Sequence, residues 1–291
     1  MFLIDFILNL AGLSLWLSWR ASRADPLRHA TPAALLGTLR RAEPRRAGHW
    51  LFLAALPVLV LLRAVFYSQV SVAVSWVPRL DLAFVSLAFH GDAFGPALLY
   101  STLSLLETFV IFYFWLLTLA MIHRRSPDTN PFVKMLRAHL GRPARWPLIV
   151  QLLLPVLAVA VLWVAFHPLL LRAGVTGRAQ SNLHLIEQGL LIGAGIYLSL
   201  KYLLPAILFV HLVTSYVFLG EHPFWGFIDA TARNVLSPLA RLPLRYARVD
   251  FAPVVGIIVL LLLLHALPNF VLEELSRHRE PDGHRLTIWP S

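Results

Sequence analysis

Four side chains that carry charge fall inside long apolar stretches: Asp5, Arg63, Glu107 and Lys201. A charge in hydrocarbon is costly unless paired or solvated, so such groups mark ion paths, proton relays or structural ion pairs. Depth decides which of them can meet. From the basic end of its stretch, Asp5 lies about 14 residues in, Arg63 about 13, Glu107 about 15 and Lys201 about 18, and at about 1.5 Å per residue these depths are similar. The expected pairs are Asp5 with Arg63 and Glu107 with Lys201. Three roles are open to them: ion-pair glue between helices, an ion or proton path, or snorkelling to the outer interface.

Other chemistry is thinly represented. Cysteine is absent, which removes disulfides, thiolate metal sites and a cysteine nucleophile. His167, His211 and His265 lie in or near apolar stretches, where two facing imidazoles could hold haem iron; a lone histidine there more often hydrogen-bonds a neighbouring helix. No P-loop, HExxH or GxSxG signature occurs. Gly189, Gly193 and Gly195 stand in an apolar stretch and read as close helix packing, not as a phosphate loop. No catalytic residue, metal or cofactor is expected.

The elements that must position these groups are membrane spans. The chain is 58% hydrophobic and 14% charged over 291 residues, more apolar and less charged than a soluble domain. A bilayer core needs roughly 20 apolar residues per crossing, and six stretches qualify: 2–19, 50–67, 96–122, 147–171, 190–219 and 253–271. The fold class expected is all-α membrane protein, six spans forming three hairpins. The fifth stretch is long for one crossing and should tilt or project. The first ten residues lack a basic start and a cleavage site, so no signal peptide is expected.

A unit recurs three times. Each copy runs from an apolar span through a basic loop opened by an X-Pro step to a returning span that carries Pro-Val. The openers are Asp25-Pro26-Leu27, Asn130-Pro131-Phe132 and His222-Pro223-Phe224; the returns carry Pro57-Val58, Pro155-Val156 and Pro253-Val254. Asn or Asp before Pro is a helix start. Apolar residues at helical spacing follow Pro131 as far as Gly141, and others follow Pro223. In the first copy Thr31-Pro32 precedes Leu35, Leu36 and Leu39. Each loop should therefore hold a short amphipathic helix, at the interface or docked under the bundle. The residues between, 68–95, read as an external interfacial segment: a strand-like piece at Val70–Trp76 and then an interfacial helix after Pro78.

Seventeen of the 25 basic residues lie in the three hairpin loops, and all but Lys134 and Lys201 are arginine. This bias puts the loops in the cytoplasm and both termini outside. The basic surface reads as topology and as contact with anionic lipid, with no nucleic-acid module to frame any other use. The division expected is a first hairpin over 1–67, the external segment 68–95, a second hairpin over 96–171, an external loop 172–189, a third hairpin over 190–271 and a polar tail 272–291.

The hairpins resemble the YggT family, called YlmG in some bacteria and in plastids. The third copy carries most of the likeness: His222-Pro223-Phe224-Trp225, then Leu236-Ser237-Pro238-Leu239-Ala240-Arg241, then Val249-Asp250-Phe251-Ala252-Pro253-Val254-Val255. The second keeps Asn130-Pro131-Phe132 and Gly141-Arg142, and the first keeps Asp25-Pro26-Leu27. The resemblance implies a multi-pass protein of the bacterial cytoplasmic membrane, of a family linked to osmotic stress tolerance, cell division and, in plastids, haem maturation of a b-type cytochrome. It supplies no catalytic residues. It makes Pro131, Pro223, Asp250 and Pro253 the marked loop-to-span positions; Asp250 can cap the last span and Pro253 suits its first turn. The expected function is a non-enzymatic scaffold or assembly and stress-tolerance factor that binds other membrane proteins. The alternative is a small transporter or channel using Glu107 and Lys201.

Overall fold

The computed structural model describes residues 2–23, 48–82, 84–126, 130–179, 181–217, 220–237, 245–246, 249–250 and 252–278. The expected helix after Thr31-Pro32, the first loop's opener and its arginines from Arg28 onward, the stretch 238–244 and the end of the tail lie outside these residues.

The architecture is all-α with small β additions. Its helices are α1 (Phe2–Arg23), α2 (Gly48–Val74), α3 (Phe94–Ile122), α4 (Pro131–Leu140), α5 (Leu148–Arg172), α6 (Asn182–Gly195), α7 (Leu200–Tyr216), α8 (Pro223–Leu236) and α9 (Ala252–His278). Helices dominate because a chain in lipid has no water for its backbone groups and must satisfy them internally. Among the described residues four helical segments are long and apolar enough to cross a membrane: Trp50–Val74, Phe94–Ile122, Leu148–Arg172 and Asn182–Tyr216. These make the chain a multi-pass membrane protein. Of the six stretches expected, the other two fall on α1, where Asp5, Asn9, Ser14, Ser18 and Arg20 dilute the apolar run, and on α9, whose apolar part is the shorter Ala252–Ala266.

The longest crossing is not one regular helix. A 3-10 stretch, Ile196–Ser199, joins α6 to α7, and Pro205 stands inside α7. That proline cannot donate to the carbonyl of Lys201, and its ring crowds the preceding turn.

The segment after α2 departs from expectation. Val70–Val74 continues the helix. The expected interfacial helix is instead a hairpin of β1 (Arg79–Leu82) and β2 (Val85–Ala88), antiparallel with Leu80 opposite Leu87. The physical reason is a period of two: Leu80, Leu82, Val85, Leu87 and Phe89 alternate with polar or small residues, and Leu80, Leu87 and Phe89 are buried.

The chain divides into two compact units. Unit 1 comprises Met1–Phe112 and Val161–Gly189; unit 2 comprises Tyr113–Ala160 and Leu190–Ser291. In unit 1, α1 packs along α2, and Leu105 of α3 meets Gly12 of α1. In unit 2, α7 packs against α8 and α9, and α4 against α8. The backbones of α3 and α5, the expected second hairpin, do not approach as closely as those of α1 and α2.

Both described loop helices form where the X-Pro steps place them. Asn130 caps α4 by accepting from the Phe132 N–H at 2.8 Å, and Gly141 closes it at a φ of 64° that favours glycine. His222 caps α8 by accepting the Phe224 N–H at its Nδ1, 3.3 Å away. Both helices are docked: Val133 and Phe227, Ile228, Ala232 and Leu236 share a core with Ile207 and Leu208 of α7.

Unit 2 also contains a close helix approach. A Cβ on Gly193 would stand 2.5 Å from the Val156 carbonyl oxygen and 3.0 Å from its Cα, backbone atoms that cannot swing aside. Gly193→Ala should therefore lower stability by about 1–3 kcal/mol, read as a drop in detergent melting temperature. Gly177→Ala, with nothing within 4 Å of its Cβ, should leave melting unchanged.

Candidate functional site

The deepest polar cluster of unit 1 is centred on Arg63. Its side chain is 1% exposed in the middle of α2. Nη1 donates to Asn9 Oδ1 at 2.6 Å; Nη2 donates to Ser104 Oγ at 3.3 Å and to Asp5 Oδ1 at 3.4 Å. Asp5 also accepts from the Tyr67 hydroxyl, and Asn9 Nδ2 donates to Ser104 Oγ at 3.0 Å. Helix geometry explains the set. Asp5 and Asn9 are one turn apart on α1, as are Arg63 and Tyr67 on α2, so each pair shares a face. Ser104 comes from α3. The guanidinium lies 5.4 Å from the Tyr67 ring centroid, adding a cation–π contact.

Aromatic rings close one side of the cluster. Tyr67 and Tyr100 meet edge to face at 5.4 Å; Phe89 touches Tyr100 at 5.5 Å and Trp76 touches Tyr67 at 5.3 Å. Tyr67, Phe89 and Tyr100 are all buried. The β-hairpin thus serves the site by leading Phe89 down onto Tyr100. Arg63 Nε is buried without a hydrogen-bond partner, and the three acceptors of the guanidinium, Asn9, Asp5 and Ser104, all come from neighbouring helices. The arrangement neutralises a charge and ties three helices together.

The structure thus brings Asp5 and Arg63 together. Glu107 and Lys201 fall in different units. Glu107 is half-buried in α3 with no hydrogen bond or ion pair among the described residues. Lys201 is exposed, its ammonium 5.1 Å from the Tyr202 ring centroid. Pro131 and Pro223 are the first residues of α4 and α8, and Pro253 is buried in the first turn of α9. Asp250 sits in a two-residue strand, β4 (Val249–Asp250), paired with β3 (Arg245–Tyr246); its side chain, and so the expected cap, lies outside the described residues.

Unit 2 has its own buried polar node at the end of α3. His123 is 1% exposed and stacks on Phe227 at 4.8 Å. The Thr231 hydroxyl donates to the Phe227 carbonyl at 2.7 Å, so His123 Nε2 must be the donor in its own 2.7 Å bond to Thr231 Oγ1. Nδ1 is then the acceptor that faces Ser126 Oγ at 3.3 Å. Arg137 of α4 donates to the backbone carbonyls of His123 at 2.8 Å and Ser126 at 3.1 Å. His123 thereby joins the end of α3 to α8 through its ring and to α4 through its carbonyl. Nearby, His211 Nδ1 of α7 lies 3.1 Å from Asp229 Oδ1 of α8, and Asp229 also pairs with Arg233. His167 is buried beside Trp163 in unit 1, and His265 is exposed on α9.

Sequence reasoning named the two charges of the first cluster and missed Asn9, Ser104 and Tyr67. The signal for two of them was present: Asn9 and Tyr67 each stand four residues after a named charge. His123 was missed because it lies one residue beyond an apolar stretch, beside Arg124 and Arg125, where it reads as part of a basic loop.

Among the described residues no group of three or more His, Asp or Glu could hold a metal ion. Comparison with known proteins gives no matching family model, no matching curated protein and no matching solved structure.

Burial, and then the neighbouring Arg137 guanidinium, hold the His123 imidazole below its usual value. A histidine in the unfolded chain titrates at about 6.5, so the unfolded state takes up the proton first. The stability this neutral histidine contributes is complete above about pH 6.5 and is lost as pH falls toward the lower folded value. Melting in detergent should drop as pH falls below about 6.5, and His123→Gln should flatten that slope. An unchanged slope in the variant would assign the pH dependence elsewhere.

Proposed function

We propose that the protein is a non-enzymatic membrane scaffold of the YggT type, an assembly or stress-tolerance factor whose spans and docked loop helices hold other membrane proteins. The observation that carries this reading is the closure of the Arg63 cluster. A group that conducts or relays ions needs a route to water and a free protonation or binding state. Arg63 is 1% exposed and committed to Asn9, Ser104 and Asp5, which suits a fixed joint. The equivalent capping of α4 and α8 supports the family likeness. Asn130-Pro131-Phe132 and His222-Pro223-Phe224 make the same N-cap bond, and they meet each other: Asn130 Nδ2 donates to the Pro223 carbonyl at 3.1 Å and the Phe132 and Phe224 rings lie 5.5 Å apart.

In this reading all six apolar stretches span the bacterial cytoplasmic membrane as three hairpins, with the basic loops inside against anionic lipid. A second reading, a small transporter or channel, is favoured by Glu107 alone, a carboxyl within a span and without a described partner.

Reconstitution separates the two. Vesicles containing the purified protein should show no proton or potassium flux above empty vesicles, and Glu107→Gln should change nothing. A reproducible flux that Glu107→Gln abolishes would overturn the scaffold reading in favour of transport.

A further inference from the structure

Between α4 and α5 the chain makes a short 3-10 turn, Arg142–Arg145, followed by Trp146 and Pro147. In a 3-10 turn, side chains three apart eclipse one another. Arg142 and Arg145 are three apart, so both side chains leave the backbone on the same side of the turn. Both are exposed, and neither makes an ion pair among the described residues. The turn is held from two directions. Gly141 reverses the chain at a φ of 64°, and Gln151, 1% exposed one turn into α5, donates Nε2 to the Pro143 carbonyl at 2.8 Å. Trp146 follows, 39% exposed, and then the exposed apolar start of a span, with Leu148 at 50% and Ile149 at 69%.

Charge, indole and apolar surface therefore succeed one another within a few residues, in the order in which a bilayer presents phosphate, interface and acyl chain. Tryptophan prefers the headgroup level, and that level sets the two arginines at the phosphates. Arginine is the side chain best matched to a phosphate oxyanion pair, through its planar fork of donors. We propose that Arg142, Arg145 and Trp146 form a binding site for an anionic phospholipid, with the phosphate taken by the paired guanidiniums and the acyl chains lying along the start of α5. The inference rests on α5 being a span and on the proposed contact of the basic loops with anionic lipid; it does not require the scaffold role.

The test is titration of the detergent-solubilised full chain with phosphatidylglycerol, followed by melting temperature, with phosphatidylcholine and inorganic phosphate as separate arms. Phosphatidylglycerol should raise the melting temperature and phosphatidylcholine should not. Inorganic phosphate alone should have little effect, since it lacks the acyl chains. Each arginine at an anionic surface is worth about fivefold in affinity, so Arg142→Gln/Arg145→Gln should need roughly 30-fold more phosphatidylglycerol for half the shift. Arg172→Gln/Arg178→Gln removes the same charge from the other end of α5 and should leave the titration unchanged. Arg142→Lys/Arg145→Lys keeps the charge without the fork and should fall between. An unaltered titration in the first double variant would overturn the site, as would equal losses in the first two double variants. A phosphate effect as large as that of the lipid would make it a free-anion site instead.

Discussion

Arg63 sets the terms for unit 1. A guanidinium never gives up its proton in a protein, so a buried one cannot escape its desolvation cost by neutralising. It must be met by acceptors in the same apolar volume, and α2 cannot provide them, because its own carbonyls are spent on helix bonds. Asp5 and Asn9 on α1 and Ser104 on α3 do so. The register of α1 against α2 follows: sliding α1 by one residue would turn both acceptors off the face that Arg63 addresses. Tyr67 makes the arrangement stricter, since its hydroxyl bonds the same Asp5 oxygen that meets the guanidinium. The β-hairpin and the aromatic rings above are then a cover that keeps the cluster dry. Breaking a buried pair by removing one partner is costly chiefly because the other charge is stranded.

Unit 2 is organised by different physics. Its core is apolar, from Ile207 and Leu208 to Phe227 and Ile228, and its polar groups work at helix ends. Each X-Pro-Phe step caps its own helix and then contacts the other, while His123 bridges the end of α3 to α8 through Thr231. A neutral imidazole is part of this work, so the node responds to acid: protonating His123 would add a second cation beside Arg137 in a buried place.

Much of this is legible in the sequence, for identifiable reasons. Helix starts at Pro131 and Pro223 could be placed because capping is local chemistry, decided within three or four residues. Depth counting set Asp5 opposite Arg63 because α1 and α2 run without a break through those positions. Depth is only one coordinate, however; Glu107 and Lys201 share it and still belong to different units. Lys201 itself stands between a 3-10 interruption and Pro205, which change the angle at which a residue leaves its helix. The residues 70–89 misled because Val70, Val72 and Val74 alternate as strands do, yet they extend a span whose backbone bonds are already running. The alternation that does make strands begins at Leu80. What could not be read at all was which neutral polar residue meets which charge, since Asn9 and Ser104 look like ordinary helix residues until three helices are placed together.

Arg63, on this reading, is a neutralised joint and not a working charge. This is tested most directly by a double-mutant cycle on Asp5 and Arg63, with unfolding followed in detergent. Arg63→Met alone should cost about 3 kcal/mol, because it leaves the Asp5 carboxylate without its cation, and adding Asp5→Leu should recover most of that loss. If the two losses simply add, the pair is not coupled and the account of unit 1 is wrong.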